Sequence, residues 1–538
     1  MNRKLIPFTL SLALTLALMP FSAAAASDAA TILKPTLQYT YVGAYDTGWC
    51  EESYASTPAV ADLDGDGALE IISASYTLRC VDAKTGTVKW QVPSGYDRSH
   101  PNAKYEGRIW SDVVVKDVDG DGGLDIVVGN RMGKLAVYDQ NGYFKPGWPQ
   151  TLWAGVEIKS VRAEDLDNDG TCEIVAAVGD PSTGQLSPKN VWVYEHDGKV
   201  RKGWPQYREG ATPVSHAWGV YHDNLCVGDL DGDGRKDILV PSDVPYICGY
   251  HDDGTPLAAS QKAFAPGTVW GGVGTWEDYT FEKTLENQGW GFSLDVFTGY
   301  HWILQALPPA RRYISEFAYS RAILDDLDGD GKSEVVVVGR TYDRAFGFPP
   351  PSLFQQLFVF NSDRSRYQGW ERVPRSGKPL MEDEDWQHLG MCFPDPVAAD
   401  LDGDGKKELL YPSYDGKLNC YWLDQTQKHS FPVNVYDGMH PEYTTAPAVV
   451  DLDKDGHPEL IFTTYTDKLG TKAGSLYVCN YKGQVLHRVP LPQSLGTNIP
   501  NGGICSPVVK DIDGDGVFEV VFNGFYSGVT VYNLPVRQ

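Results

Sequence analysis

Beyond its first 26 residues this 538-residue chain has no apolar run long enough to cross a bilayer, a passage that takes about 20 residues. It also lacks a phosphate-binding glycine loop, a dinucleotide fingerprint, a nucleophile elbow and any zinc-ligand spacing. These absences exclude a membrane protein built of spanning helices and leave no catalytic class that a short motif would announce. Positive charge is scarce: 46 Lys and Arg face 71 Asp and Glu, a formal net charge of -25. That excess disfavours nucleic acid and anionic membrane surfaces as partners. Cysteine is sparse and odd in number, nine, so at least one thiol is unpaired or pairs between chains.

Residues 1–26 read as a signal peptide. Arg3 and Lys4 give a positive start, Leu5–Met19 is apolar, and Ala23–Ala26 supplies small residues ahead of a cleavage expected before Ser27. No Cys follows closely enough for a lipid anchor. Residues 27–538 are therefore expected to be secreted, extracellular and soluble, and a monomer is expected.

What the chain has in abundance is one acidic loop, D-x-D-x-D-G-x-x-[DE], present eight times. Its four carboxylates are Asp62, Asp64, Asp66 and Glu70 in the first copy. The next three copies hold Asp117, Asp119, Asp121 and Asp125; Asp165, Asp167, Asp169 and Glu173; and Asp229, Asp231, Asp233 and Asp237. The last four hold Asp326, Asp328, Asp330 and Glu334; Asp400, Asp402, Asp404 and Glu408; Asp451, Asp453, Asp455 and Glu459; and Asp511, Asp513, Asp515 and Glu519. Four unneutralised carboxylates within nine residues would repel one another. Calcium wants six to eight oxygens in flexible geometry. Alternate Asp residues, a glycine at the sharp turn, the carbonyl of the seventh residue and the ninth-position carboxylate supply such a shell. The expectation is up to eight Ca2+, held structurally. Asn168 and Lys454 replace glycine at the fourth position, which is no ligand position.

Each loop has the same setting. A short apolar stretch precedes it, and a β-branched run such as Ile126-Val127-Val128 follows. A third segment ends in a turn, as in Leu135–Gly142, and a fourth often carries Gly-Trp, as in Gly147-Trp148, Gly203-Trp204 and Gly369-Trp370. Four short strands per repeat imply an antiparallel sheet, and radially packed sheets make a propeller. The reading is an all-β, eight-bladed β-propeller with four-stranded antiparallel blades. After Asp511 there is room for only three strands, while Thr36–Val42 alternates like a strand that lacks a repeat of its own. Pairing it with the last blade would close the ring and remove exposed edges. Seven blades, or two separate domains, is the alternative.

The repeats resemble the FG-GAP/VCBS class of propeller repeats, which also forms the calcium-bearing blades of integrin α-subunit heads. The resemblance runs from about Thr36 to the end, although the literal Phe-Gly-Gly-Ala-Pro string is absent. Val81–Trp90 is also similar to a blade segment of quinone dehydrogenases, over one blade only, which implies no quinone. Cys80 and Cys420 stand where another repeat has Val137 and read as buried thiols. Cys50 and Cys505 precede the first and last repeats, so a disulfide between them is left open.

If the loops share one face of the disc, function belongs on the other. Segments entering the repeats bring Arg108, Trp110, Trp153, Lys159, His216, Trp218, Tyr221, His222, Trp386, His388, His440 and Tyr443 there, and loops between second and third strands bring Tyr76, Arg131, Arg340, Tyr342, Tyr414, Tyr465 and Tyr526. Aromatic faces interleaved with Arg and His suit sugar rings. Trp110, Arg131, Trp153, Trp218, Arg340 and Trp386 are the candidate ligand contacts. An insertion near residues 265–317 holds Trp270, Trp276, Trp290 and Trp302, with Arg311 and Arg312 after them. It reads as a lid or wall beside a central cleft, or as an excursion that caps the disc. Two functions follow: binding of an extracellular glycan or protein ligand, or degradation of a polysaccharide, most plausibly by a uronate lyase. For the lyase, Arg131, Arg340, His216 and His388 are the candidate catalytic residues, a cation and a base being required. The acidic run Glu382–Asp385 reads as solvated surface.

Overall fold

The computed structural model describes residues 31–41, 56–179, 190–206, 220–242, 245–287, 313–317, 319–343, 354–380, 392–466, 473–492, 502–524 and 528–537. The signal peptide, Val42, Cys50, His216, Trp218, Trp290, Trp302, Arg311, Arg312, the run 382–385, Trp386, His388 and Tyr526 lie outside the described residues.

Each repeat becomes one blade. In the first, Ala59–Ala61, Glu70–Ala74, Thr77–Asp82 and Val88–Pro93 pair antiparallel in that order. The acidic loop joins the first two strands, and the register sets its ninth residue, Glu70, opposite Ala61. In all eight blades the second strand is buried, the eighth from Glu519 onward. Neighbouring blades cover both of its faces, so its sequence is a continuous apolar run and not an alternation. The third and fourth blades have three ladder strands. Their outer edge is reduced to isolated bridges such as Val191 with Gln206 and Tyr250 with Pro256. Pro205 and Pro256 stand in these edge segments, and proline cannot donate to a ladder.

The eighth blade is made from both ends of the chain. Val508–Lys510, Phe518–Gly524 and Gly528–Leu534 are completed by Thr36–Tyr41, which pairs along Gly528–Leu534. Thr31–Ile32 also pairs with Val536–Arg537. The apolar core is a ring of clusters between consecutive blades. Ile72, Leu78, Ile126 and Val128 join the first and second blades, and Ile71, Val81, Val521 and Val531 join the eighth to the first in the same way. The ring is thus closed by packing as well as by the ladder.

Tryptophans at the outer edge, three of them from Gly-Trp pairs, latch one blade to the next. Trp90, Trp148, Trp204, Trp270 and Trp370 donate their indole N–H to Gln140, His196, Asp252, Ser362 and Leu423 carbonyls at 3.0, 2.8, 2.8, 3.1 and 2.8 Å. Each acceptor lies in the outer turn of the following blade. Tyr39 does the same from the eighth blade to Ala83 of the first, at 2.5 Å. In the sixth blade Phe431 fills the position, packed on Gly483 without a donor. In the second and third blades the glycine of the pair is fixed by this approach: at Gly203 a Cβ would lie 1.9 Å from the Asp253 carbonyl oxygen, at φ +94.

The described part of the insertion is a wedge between the fourth and fifth blades. Trp270 and Trp276 are fully buried. Glu282, in the helix Tyr279–Asn287, accepts from Arg366 Nη2 at 2.8 Å, from Arg364 Nη1 at 3.3 Å and from the Trp276 N–H at 2.9 Å. Neither tryptophan lines a cleft; both serve blade packing. Cys80 and Cys420 are buried thiols. Cys505 is a free thiol whose Sγ accepts from Asn523 N–H at 3.2 Å, so the disulfide left open for it is not made. Among the described residues no helix is long and apolar enough to cross a membrane.

Candidate functional site

The eight acidic loops are built on one hydrogen-bond plan. The backbone N–H of the second residue donates to the ninth-position carboxylate, at 2.8 Å in Leu63 to Glu70 and 2.9 Å in Ile512 to Glu519. The sixth-position glycine N–H donates to the first Asp, at 3.0 Å in Gly67 to Asp62 and in Gly516 to Asp511. The seventh-position N–H donates to the fifth-position Asp, at 2.8 Å in Ala68 to Asp66 and 2.7 Å in Val517 to Asp515. The intervening six loops repeat all three bonds. The fourth position is left-handed, and Asn168 and Lys454 adopt it at φ 63 and 60 in place of glycine.

This plan turns the remaining carboxylate oxygens toward one another. In the first loop Asp62, Asp64 and Asp66 bring ligand atoms within 4.8 Å of each other, as do their counterparts in the third and fourth loops, and in the second loop Asp117, Asp119 and Asp125 do so. Asp62 Oδ1, Asp119 Oδ1, Asp167 Oδ1, Asp402 Oδ1 and Glu519 Oε1, from five of the loops, are buried and have no hydrogen-bond partner. Burial, with the loops' own aspartates beside them, pushes Glu334, Glu408, Glu459 and Glu519 up to about 7. An all-oxygen set with orphaned buried oxygens fits a hard divalent cation such as calcium.

A second site lies on the propeller axis, at the opposite end of the first strands. Six of the residues five positions ahead of a loop line it: Thr57, Asp112, Arg321, Asp395, Ala446 and Ser506. Arg321 is its centre. Its Nη2 donates to Asp112 Oδ2 at 2.5 Å and to Asp223 Oδ2 at 2.6 Å, and its backbone N–H to Asp395 Oδ1 at 2.8 Å. His222 Nε2 meets Asp395 Oδ2 at 3.0 Å, and its ring lies 4.3 Å from that of Phe393. Asp223 also accepts from Arg162 at 2.8 Å and from Ser160. Burial would raise Asp223 and Asp395, but the cations beside them hold both below the usual carboxylate range. Burial and the neighbouring Asp223 push Asp112 above it. The pocket leaves about 10 Å³ for the centre of a water-sized sphere, room for about one water. His222 Nδ1 and Thr444 Oγ1 face it without a partner among the described residues. A sugar does not fit there.

The sequence-derived face candidates scatter. Trp110 is 5% exposed, under Lys159 Nζ at 3.8 Å and Arg108 at 4.6 Å, both held by Glu157. Burial brings Lys159 down to about 8 despite that carboxylate. Arg340 is buried in the fifth blade and donates to Glu316 at 2.6 Å. Tyr414, Tyr443 and Tyr465 pack with Phe393 in one apolar cluster. Arg131 is exposed in the second blade, next to Met132 at 47%, with Tyr105 at 38% and half-buried Trp153 nearby in sequence and fold. Of the residues in this ion-pair network only His222 is among the sequence-derived face candidates. Asp112, Arg321 and Asp395 stand five residues ahead of their loops and Asp223 six, so spacing from the loops is the available signal.

The family model for the FG-GAP-like repeat matches residues 117–176 and 400–462. Each match begins on the first Asp of a loop and runs through the next loop. The chain carries FG-GAP-like repeats. Four of the eight loops lie inside the matched segments of FG-GAP-like repeat, and the others keep the same hydrogen bonds. Among solved structures, the V. cholerae biofilm matrix protein Bap1 is similar at 12% identity, over 93% of this chain and 91% of that one, with a TM-score of 0.52. Sqt1 of Saccharomyces cerevisiae is 11% identical over 94% of this chain and 100% of its own, with a TM-score of 0.48. At such identities the likeness is one of fold. No curated protein matches the sequence.

Proposed function

We propose that this FG-GAP-like propeller is a secreted, calcium-stabilised protein that binds an extracellular glycan or protein ligand on the face opposite its acidic loops. Up to eight ions would be held by the four carboxylates of each loop and the carbonyl of its seventh residue, Ala68 in the first copy. Their part is to pin the turn between the first two strands. Sixteen added charges would bring the formal -25 to about -9.

The contrast at the non-loop end carries the binding assignment. The axial pocket admits nothing larger than about one water, whereas Tyr105, Arg131, Met132 and Trp153 reach the surface of that face. Flat aromatics beside a guanidinium suit a sugar ring or a protein side chain. A lyase needs its cation and base on one sugar. Arg131 is exposed in the second blade and Arg340 is buried against Glu316 in the fifth, so no described pair supports that reading.

Calorimetric titration against uronate polysaccharides, neutral polysaccharides and purified extracellular matrix proteins tests the assignment. Arg131→Glu is expected to weaken binding about tenfold with the melting temperature unchanged. Trp153→Ala is expected to weaken it likewise while lowering the melting temperature, since Trp153 also packs on the second-blade core. Failure to bind any of these ligands would overturn it. Chelation should lower the melting temperature steeply, and an unchanged melting curve would remove calcium from the account. Mass spectrometry of exported protein should find Ser27 at the N-terminus.

A further inference from the structure

Three of the eight loops already hold a cation of their own. Lys89 Nζ lies 2.7 Å from both Asp64 and Glu70. Lys145 Nζ lies 2.7 Å from Asp119, 3.2 Å from Asp121 and 3.1 Å from Asp125. Arg201 reaches Asp167 at 2.7 Å and Glu173 at 3.1 Å. In each case the side chain comes from the blade's outer strand and spans the third- and ninth-position carboxylates, two of the four that calcium would need.

The same outer-strand position differs in the later blades. Leu257, Tyr367 and Leu486 occupy it in the fourth, fifth and seventh. In the fourth, His251 from the third strand's turn places Nδ1 2.9 Å from Asp237 and 4.0 Å from Asp231, an imidazole and not a permanent cation. Tyr367 contributes a neutral hydroxyl to Asp328 at 2.7 Å, and Leu486 is 40% exposed. In the sixth blade Lys428 stands there but lies over the Trp422 ring at 4.8 Å, outside the loop. Glu519 Oε1 in the eighth blade and Asp402 Oδ1 in the sixth are buried and unpartnered. Asp62 Oδ1, Asp119 Oδ1 and Asp167 Oδ1 of the early loops are unpartnered too, so what separates the early loops is the cation on their third- and ninth-position carboxylates.

We infer that loops one to three are closed to calcium by Lys89, Lys145 and Arg201, and that at most five loops, the fourth to the eighth, bind it. The inference rests on the calcium reading above. A cation entering an early loop must displace a charge-assisted pair and then sit beside the displaced ammonium or guanidinium. Like charges a few ångströms apart near a surface repel strongly, and the early loops should bind calcium about 100-fold or more weakly than the late ones.

The test is a count. The full mature chain, stripped of metal and titrated with calcium chloride in flow dialysis, is expected to bind five ions or fewer at the tight limit. Lys145→Met keeps the length of the side chain and removes its charge, and is expected to add one tight site. If that variant fails to fold, Leu486→Lys, on an exposed position, is expected to remove one site. Six or more equal sites in the unaltered chain, or a count that neither variant moves, would overturn the inference and leave the calcium reading intact. A count of zero would overturn the calcium reading itself.

Discussion

The two ends of the blades are organised on opposite principles. At the loop end, three backbone-to-carboxylate bonds recur in every blade, and an aromatic latch recurs at most junctions. At the axial end, the residues in matching positions are Thr57, Asp112, Ser160, Asn224, Arg321, Asp395, Ala446 and Ser506, six residue types in eight positions. The first end spreads its stability over eight similar contacts. The second concentrates it in one network around Arg321 and Asp223. Repetition marks what every blade needs, and its absence marks what the ring needs once.

That contrast can be tested by mutation. Asp223→Ala removes the buried carboxylate shared by the half-buried Arg321 and Arg162, so it should cost about 3 kcal/mol in a urea titration. Trp148→Phe removes one latch and leaves the His196 carbonyl short of its donor, a loss of about 1–3 kcal/mol by the same measurement. A latch variant as damaging as the axial one would collapse the distinction.

The axial network also predicts a pH dependence. Asp112 is raised in the folded state by burial and by Asp223, so the folded form holds its proton where the unfolded form has lost it. Its stabilising share is full below the unfolded value and fades as pH rises through the folded one. Asp112→Asn should abolish that fall, a slope difference of at most about 1.4 kcal/mol per pH unit, measured as unfolding free energy against pH. Asp395, lowered in spite of burial by His222 and Arg321, acts in the other direction, with stability lost only as the solution becomes acidic. The smallest expected effect belongs to the loop end. Lys454→Gly relieves a left-handed residue at φ 60 and should stabilise the chain by about 1 kcal/mol, provided calcium is held constant.

The loop end was legible in the sequence because each copy repeats its residue types, and the closing strand was legible because the last repeat lacked one. The Gly-Trp pairs were legible as outer strands but not as latches. Trp148 reaches His196 across 48 residues, and a single blade gives no hint of what the next one offers. The insertion misled for a related reason: Trp270 and Trp276 look like ligand contacts until Ser362, Arg364 and Arg366 of the following blade are seen around them. The axial charges were the hardest to find, since only some blades carry one at that position and Asp223 stands one residue off it.

The pairing of Thr36–Tyr41 with Gly528–Leu534 sets an order of events. During synthesis the closing strand is made ahead of every repeat, and its partner only after the other seven blades. Until that partner exists, the strand's hydrogen-bonding edge and the flank of the first blade stay open, and closing so long a loop carries an entropic cost. The ring therefore works as a test of completeness. A chain cut short of Gly528 has no way to shut it, and would meet a protease with an unpaired strand and an unsealed core.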